Sequence, residues 1–230
     1  TNHKSKAKLV AKGDGVLAGV DFCKIVLKHH AQGVELTPLV IDGHSFSNGE
    51  TLLTLEGNTQ YILSLERILL NVLQRMSGIA TVTNEIQQSI AHTKCKVLDT
   101  RKTTPNFRAA EKWAVQIGGG VNHRMGLYDA MMLKDNHIDF CGGLAQALQK
   151  TRSYVNNLPT PIPVIVETRS LDDVGVCLQH NWIDRVLLDN MSPEVLSKAV
   201  RLIDGTLPTE ASGNISPENC ISYAESGVDY

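Results

Sequence analysis

Positive charge is gathered into one stretch of a chain that is otherwise close to neutral. Between Arg101 and Lys134 stand six basic residues (Arg101, Lys102, Arg108, Lys112, Arg124, Lys134) against two acidic ones, Glu111 and Asp129. His123 adjoins Arg124. Glycines and apolar runs separate these cations, so the pattern suits a small, multiply anionic ligand better than a long polyanion. Arginine grips a carboxylate through two parallel hydrogen bonds, a geometry lysine lacks. Further along, Glu167 and Asp189 are hard oxygen donors of the kind Mg²⁺ takes beside substrate phosphates. Ser212-Gly213-Asn214 offers backbone N–H groups and a hydroxyl to a phosphate, ahead of a helix start signalled by Ser216-Pro217-Glu218. Gly118-Gly119-Gly120 does not fit a dinucleotide fingerprint and implies only a sharp bend or a close backbone approach.

The elements that must position these groups follow a rhythm that begins near Cys95. Short apolar runs at 96–100, 130–134, 164–168, 185–189, 208–211 and 228–230 alternate with helical stretches. The helical stretches fall at 143–155, 171–180, 193–203 and 217–225. Repeated strand–helix units imply parallel strands, in a closed barrel or an open doubly wound sheet. Nearly every run leads into a reactive residue: Arg101 and Lys102, then Lys134, Glu167, Asp189, and Ser212 to Asn214. The carboxyl ends of parallel strands share one face, so these groups should converge on one mouth. Two like charges about 4 Å apart repel by roughly 4 kcal/mol at an effective dielectric near 20, so such a cluster calls for an anionic ligand.

Residues before this rhythm have a different character. Strand-like runs at 7–11, 16–20, 36–41 and 51–55 are separated by turn signals such as Asp42-Gly43 and Asn48-Gly49, with a short helix over 21–30. Ile62, Leu65, Leu69, Val72 and Met76 then recur at helical spacing, with Arg67 on the opposite stripe. Ser77-Gly78 interrupts that pattern, and a second helix is expected to about Ala91. The division into domains is therefore expected at 1–76 and 77–230.

Composition excludes some classes. A net charge of -2 argues against broad nucleic-acid or membrane binding, and no apolar run approaches the ~20 residues of a membrane span. Cys23, Cys95, Cys141, Cys177 and Cys220 are scattered, which suits reduced thiols in a reducing, cytoplasmic compartment. The chain starts at Thr1 without Met, and its last residues, Val228 to Tyr230, have the character of an opening strand, so both ends are expected to be incomplete.

Together, several motifs closely resemble the quinolinate phosphoribosyltransferase family. They are Arg75-Met76-Ser77-Gly78-Ile79-Ala80-Thr81, Asp99-Thr100-Arg101-Lys102-Thr103-Thr104-Pro105, Gly118 to Gly120 with Asn122-His123-Arg124, Leu133-Lys134-Asp135-Asn136-His137, Leu188-Asp189-Asn190 and Glu210-Ala211-Ser212-Gly213-Asn214. The resemblance implies an N-terminal α/β sandwich domain and an irregular parallel α/β barrel, the type II phosphoribosyltransferase architecture. It implies a homodimer or higher even oligomer with shared active sites. Arg101, Arg124, Lys134 and His123, with Thr100, match residues that bind quinolinate. Lys102 matches a basic residue of the same pocket, and Arg67 an arginine donated across the dimer interface. Glu167 and Asp189 match the acidic pair that serves Mg²⁺ and the ribose of phosphoribosyl pyrophosphate. Ser212, Gly213 and Asn214 match the 5-phosphate loop. Lys102, Lys134, Glu167 and Asp189 are then the catalytic candidates.

Two positions depart from the family pattern. Ile165 replaces the first Glu of a usual Glu-Val-Glu strand, and Asn214 replaces a glycine while keeping the backbone donors. The implied reaction is phosphoribosyl transfer to quinolinate with loss of CO₂, in NAD biosynthesis. The rival readings are a nicotinate-type transferase with one carboxylate clamp, a Schiff-base aldolase using Lys134, a non-catalytic phosphate sensor, and a zinc site from His137 and Cys141 or Cys177 and His180.

Overall fold

A computed structural model describes residues 3–230. The chain divides into two compact units. One comprises residues up to Gln87 together with Lys102–Asn122, the other Gln88–Arg101 with His123–Tyr230. The division expected at residue 76 falls inside a helix, and the segment from Lys102 to Asn122 returns to the first unit.

The first unit is built on an antiparallel sheet of β1 (Lys4–Val10), β3 (Glu35–Pro38) and β5 (Thr51–Asn58), with β5 central. A two-residue ladder pairs β2 (Gly15–Val16) with β4 (Ser45–Phe46). Strand character was expected to continue to Val20. Instead the chain turns at Gly19, whose φ of 108° favours glycine, and α1 (Val20–His30) begins. Asp42 fastens that start, its Oδ1 accepting the Val20 N–H at 2.9 Å. Helix α2 (Thr59–Ser89) buries Ile62, Leu69, Val72, Leu73, Met76 and Ala80 on one stripe.

The break expected at Ser77-Gly78 does not occur, because α2 is continuous. Glycine inside a helix costs only about 1 kcal/mol relative to alanine. The small polar residues there have a use: Ser77 Oγ accepts the Ala18 N–H at 3.0 Å, and Thr81 Oγ1 accepts that of Val16 at 2.9 Å. Helix α3 (Arg108–Ile117) completes this unit, packing Ala110 and Ala114 into its core.

The second unit carries four parallel strands, β6 (Met131–Leu133), β7 (Val164–Thr168), β8 (Arg185–Asp189) and β9 (Thr209–Ser212), neighbours in that order. Helices α4 (Asp135–Cys141), α5 (Leu144–Asn156), α6 (Leu171–Cys177), α7 (Pro193–Ile203) and α8 (Cys220–Glu225) connect or follow them. The expected α/β architecture, an antiparallel unit followed by a parallel one, is what forms. The run at 96–100 makes only a single-residue bridge at Leu98, and 228–230 is not a strand. Both are nevertheless extended partners: Tyr230 N–H donates to Thr209 O at 3.0 Å, and Lys96 N–H to Asp229 O at 2.9 Å. Among the described residues, no helix is long and apolar enough to cross a membrane.

Register decides which side chains share a face. Met132, Ile165 and Arg185 form one row, and Glu167, Leu187 and Glu210 the next. Side chains two apart on a strand point the same way, so Asp189 and Ser212 belong to that face too. Ala130, Met132, Ile165 and Leu187 form a small apolar cluster on it. Ile165, which stands where the resemblance leads one to expect Glu, is part of that cluster and 5% exposed. The opposite face presents Leu133, Val166, Val186 and Thr209, all buried.

Candidate active site

Glu167, near the end of β7, is almost buried, and its Oε1 accepts the Asp135 N–H at 3.2 Å. Burial pushes its carboxyl above the usual carboxylate range. The Asp189 and Asp135 charges push the same way, against the Asp135 N–H and the Lys134 charge. These electrostatic couplings bring Lys134, Asp135, Glu167 and Asp189 into one neighbourhood. Lys134 is exposed at the N-terminus of α4, where the His137 ring Nδ1 accepts its backbone N–H at 3.0 Å.

At the ends of β8 and β9 the polar groups are linked. Asn190 donates from Nδ2 to Asp189 Oδ2 at 2.6 Å, and Asn214 donates from Nδ2 to Asn190 Oδ1 at 3.2 Å. Asn190 N–H donates to Ser212 O at 2.8 Å. Asn190, Gly213 and Asn214 all have positive φ, at 53°, 98° and 54°. The tripeptide Ser212 to Asn214 is thus a tight left-handed bend fastened to Asp189 through Asn190. The helix expected to open at 217 opens at Cys220 instead, with Asn219 Oδ1 accepting the Ser216 N–H at 2.7 Å. The loop therefore precedes a turn rather than a helix N-terminus.

The cationic side is built from the segment after Asn122. His123 Nε2 lies 3.2 Å from Glu210 Oε1, and its backbone N–H donates to Asp99 Oδ1 at 2.8 Å. Arg124 donates from Nη1 to Ala130 O at 3.0 Å, which holds its guanidinium near the start of β6. Burial pulls the Arg124 guanidinium below its usual range. The nearby Arg101 guanidinium adds to this, while Asp129 and Glu210 oppose it. Two guanidinium groups are thus close enough to repel each other in a partly desolvated place.

Thr100, Arg101, His123, Arg124, Lys134, Glu167, Asp189, Ser212, Gly213 and Asn214 all belong to the second unit, whereas Arg67 and Lys102 belong to the first. Arg67 is exposed on α2. Three participants had no role assigned from sequence: Glu210, Arg185 and Asn190. The signal for Glu210 was present, since a carboxylate on a short buried strand needs partners.

A family model described as the C-terminal domain of quinolinate phosphoribosyl transferase matches residues 79–230, and one described as the N-terminal domain matches 1–77. This chain belongs to the quinolinate phosphoribosyltransferase family. Relatives in that family include quinolinate phosphoribosyltransferase [decarboxylating] 2, mitochondrial, of Nicotiana glauca, 39% identical over 99% of this chain and 68% of its own. A probable nicotinate-nucleotide pyrophosphorylase [carboxylating] of Synechocystis is 38% identical over 99% of this chain and 77% of its own. The solved nicotinate-nucleotide pyrophosphorylase of Francisella tularensis superposes with a TM-score of 0.91 at 38% identity, covering 100% of this chain and 80% of that one. Quinolinate phosphoribosyltransferase family membership accounts for both halves of the chain, so the antiparallel unit is part of the family architecture and not an appended module.

Proposed function

We propose that this chain transfers the phosphoribosyl group of phosphoribosyl pyrophosphate to quinolinate, with decarboxylation, yielding nicotinate mononucleotide, pyrophosphate and CO₂ for NAD biosynthesis. The observation that carries this reading is the match of both domains of quinolinate phosphoribosyl transferase to this chain, together with an Arg124 guanidinium held by Ala130 O at 3.0 Å beside the start of β6. A partly buried guanidinium with a second one nearby favours an anionic ligand, and a di-acid supplies a carboxylate to each. A nicotinate-type enzyme needs one clamp only.

Arg101, Arg124, His123 and Lys134, with Thr100, gather the quinolinate carboxylates and ring, and Lys102 keeps the role that the family resemblance implies. The Ser212–Asn214 bend offers its backbone donors to the 5-phosphate. Glu167 and Asp189 orient the ribose and suit Mg²⁺. Like charges at a burial-raised carboxylate gain from a divalent cation. Among the described residues no three His, Cys, Asp or Glu side chains form a ready cage. Mg²⁺ commonly takes one or two carboxylates beside substrate phosphates. When bound, Mg²⁺ supplies charge neutralisation at the diphosphate.

The quinolinate ring nitrogen attacks ribose C1 as pyrophosphate leaves. The ring is then cationic, so the 2-carboxylate departs as CO₂, its bonding pair stays at C2, and a proton adds there. The chain's own contribution is positioning and fixed charge, and no covalent nucleophile is needed. Arg67, exposed on α2, is assigned to the site of a partner subunit in a homodimer or higher even oligomer. Five cysteines scattered along the sequence suit a reducing compartment such as the cytoplasm.

Calorimetric titration tests the reading. Quinolinate is expected to bind more tightly than nicotinate, with Arg124→Ala removing the difference. Equal binding of the two acids, unaffected by Arg124→Ala, would overturn it.

A further inference from the structure

Glu210 and Arg185 are polar side chains on the site face of the sheet that the proposed chemistry does not use. Glu210 is 3% exposed on β9. Its Oε1 faces His123 Nε2 at 3.2 Å and its Oε2 faces Arg185 Nη1 at 3.3 Å. Arg185 in turn lies over the Tyr230 ring, 4.3 Å from its centroid. The second imidazole nitrogen, His123 Nδ1, accepts the backbone N–H of Arg124 at 2.7 Å.

That last bond decides the tautomer. A nitrogen that accepts an N–H carries no proton, so the imidazole proton sits on Nε2 and is donated to Glu210. Both ring nitrogens are then engaged within the protein. The imidazole has no N–H left for a ligand carboxylate, and what it can turn toward a ligand is its ring.

We propose that Glu210 is a positioning residue for the pyridine-dicarboxylate site. It locks His123 in the Nε2–H tautomer, and through Nδ1 that ring fixes the backbone of Arg124, which carries the carboxylate clamp. Arg185 holds the second oxygen of Glu210 so that the carboxylate cannot rotate away. This inference rests on the quinolinate reading of the site. A carboxylate placed here only for stability would have no need to set an imidazole tautomer beside the arginine that grips the ligand.

The test combines a spectrum with kinetics on the full chain. Long-range ¹H–¹⁵N correlation of ¹⁵N-histidine-labelled protein reports the tautomer of His123, its signals assigned by their loss in His123→Gln. The wild type is expected to show Nε2 protonated and Nδ1 bare. Glu210→Ala is expected to give mixed tautomers and to raise KM for quinolinate roughly tenfold, the scale of one lost hydrogen bond to a charged group. KM for phosphoribosyl pyrophosphate should not move. Glu210→Gln, whose amide oxygen still accepts from Nε2–H, should keep the tautomer and recover most of the affinity. A wild-type proton on Nδ1 would overturn the proposal. So would a Glu210→Ala variant with unchanged His123 signals or unchanged KM for quinolinate. Should Glu210→Ala not fold, the wild-type and Glu210→Gln spectra decide. The spectrum needs no substrate, so a chain that ignored quinolinate would refute the function and still answer the tautomer question.

Discussion

Gly213 packs against Asn190 so closely that a methyl group on it would collide with the Asn190 side chain. Its φ of 98° is also one that L side chains rarely adopt. Gly213→Ala is therefore expected to open the bend between β9 and Asp189. KM for phosphoribosyl pyrophosphate should rise tenfold or more, about 1.4 kcal/mol at least, while quinolinate binding stays near the wild-type value. Steady-state kinetics with each substrate varied in turn checks this.

Glu167 is held in conflict with its surroundings. Its folded-state pKa is raised above the ordinary value, first by burial. A raised carboxylate destabilises the fold at pH values above that pKa, where the charged form is buried. The cost disappears as pH falls below the ordinary glutamate range, where both states are protonated. Glu167→Gln is thus expected to stabilise the protein at neutral pH by on the order of 1 kcal/mol while abolishing turnover. The gain should vanish in acid, as followed by denaturant melts across pH.

Asp229 has the opposite sign. Burial would raise its pKa, but the Lys94 ammonium at 2.7 Å and hydrogen bonds from the Thr209 N–H and hydroxyl, both 2.8 Å, outweigh it and hold the carboxyl below the usual range. The stability this supplies is present above the ordinary aspartate value and is lost as pH falls through the depressed one. Asp229→Asn should cost about 1–2 kcal/mol at neutral pH and nothing in strong acid.

In the first unit, Arg75 Nε and Nη2 both donate to Glu111 Oε1, at 2.9 and 2.7 Å, and Thr104 closes the other side of that carboxylate. Arg75→Ala would leave a buried carboxylate with Thr104 alone. Because the Arg75 side chain is 56% exposed, solvent discounts the loss to about 1–3 kcal/mol. Arg75→Lys, lacking the fork, should recover little of it.

Much of the parallel unit is legible in its sequence. The runs at β7 and β8 and the pattern of α7 coincide residue for residue with the elements that form. Each is a continuous apolar run, or a strongly periodic one, flanked by clear polar stops. Glu167 and Asp189 stand near the ends of their strands on one face, as strand alternation in the sequence leads one to expect. What escapes are features set by long-range partners. The run at 96–100 is short of strand pairing, and α2 absorbs Ser77-Gly78 because a loop far along the chain bonds to Ser77. Glu210 has no meaning until His123 and Arg185 arrive from 87 and 25 residues away.

Truncating Arg124 to alanine should lower kcat/KM for quinolinate by about 2–5 kcal/mol of transition-state free energy, the cost of removing one partner of a desolvated charge pair. Lysine at the same position should restore only part of it.

The most direct measurement is CO₂ release from quinolinate labelled in its 2-carboxylate, with phosphoribosyl pyrophosphate and Mg²⁺ supplied. The expected result is one labelled CO₂ for each nicotinate mononucleotide formed, with no product when Mg²⁺ is chelated. Mononucleotide formed from nicotinate but not from quinolinate, without labelled CO₂, would contradict it.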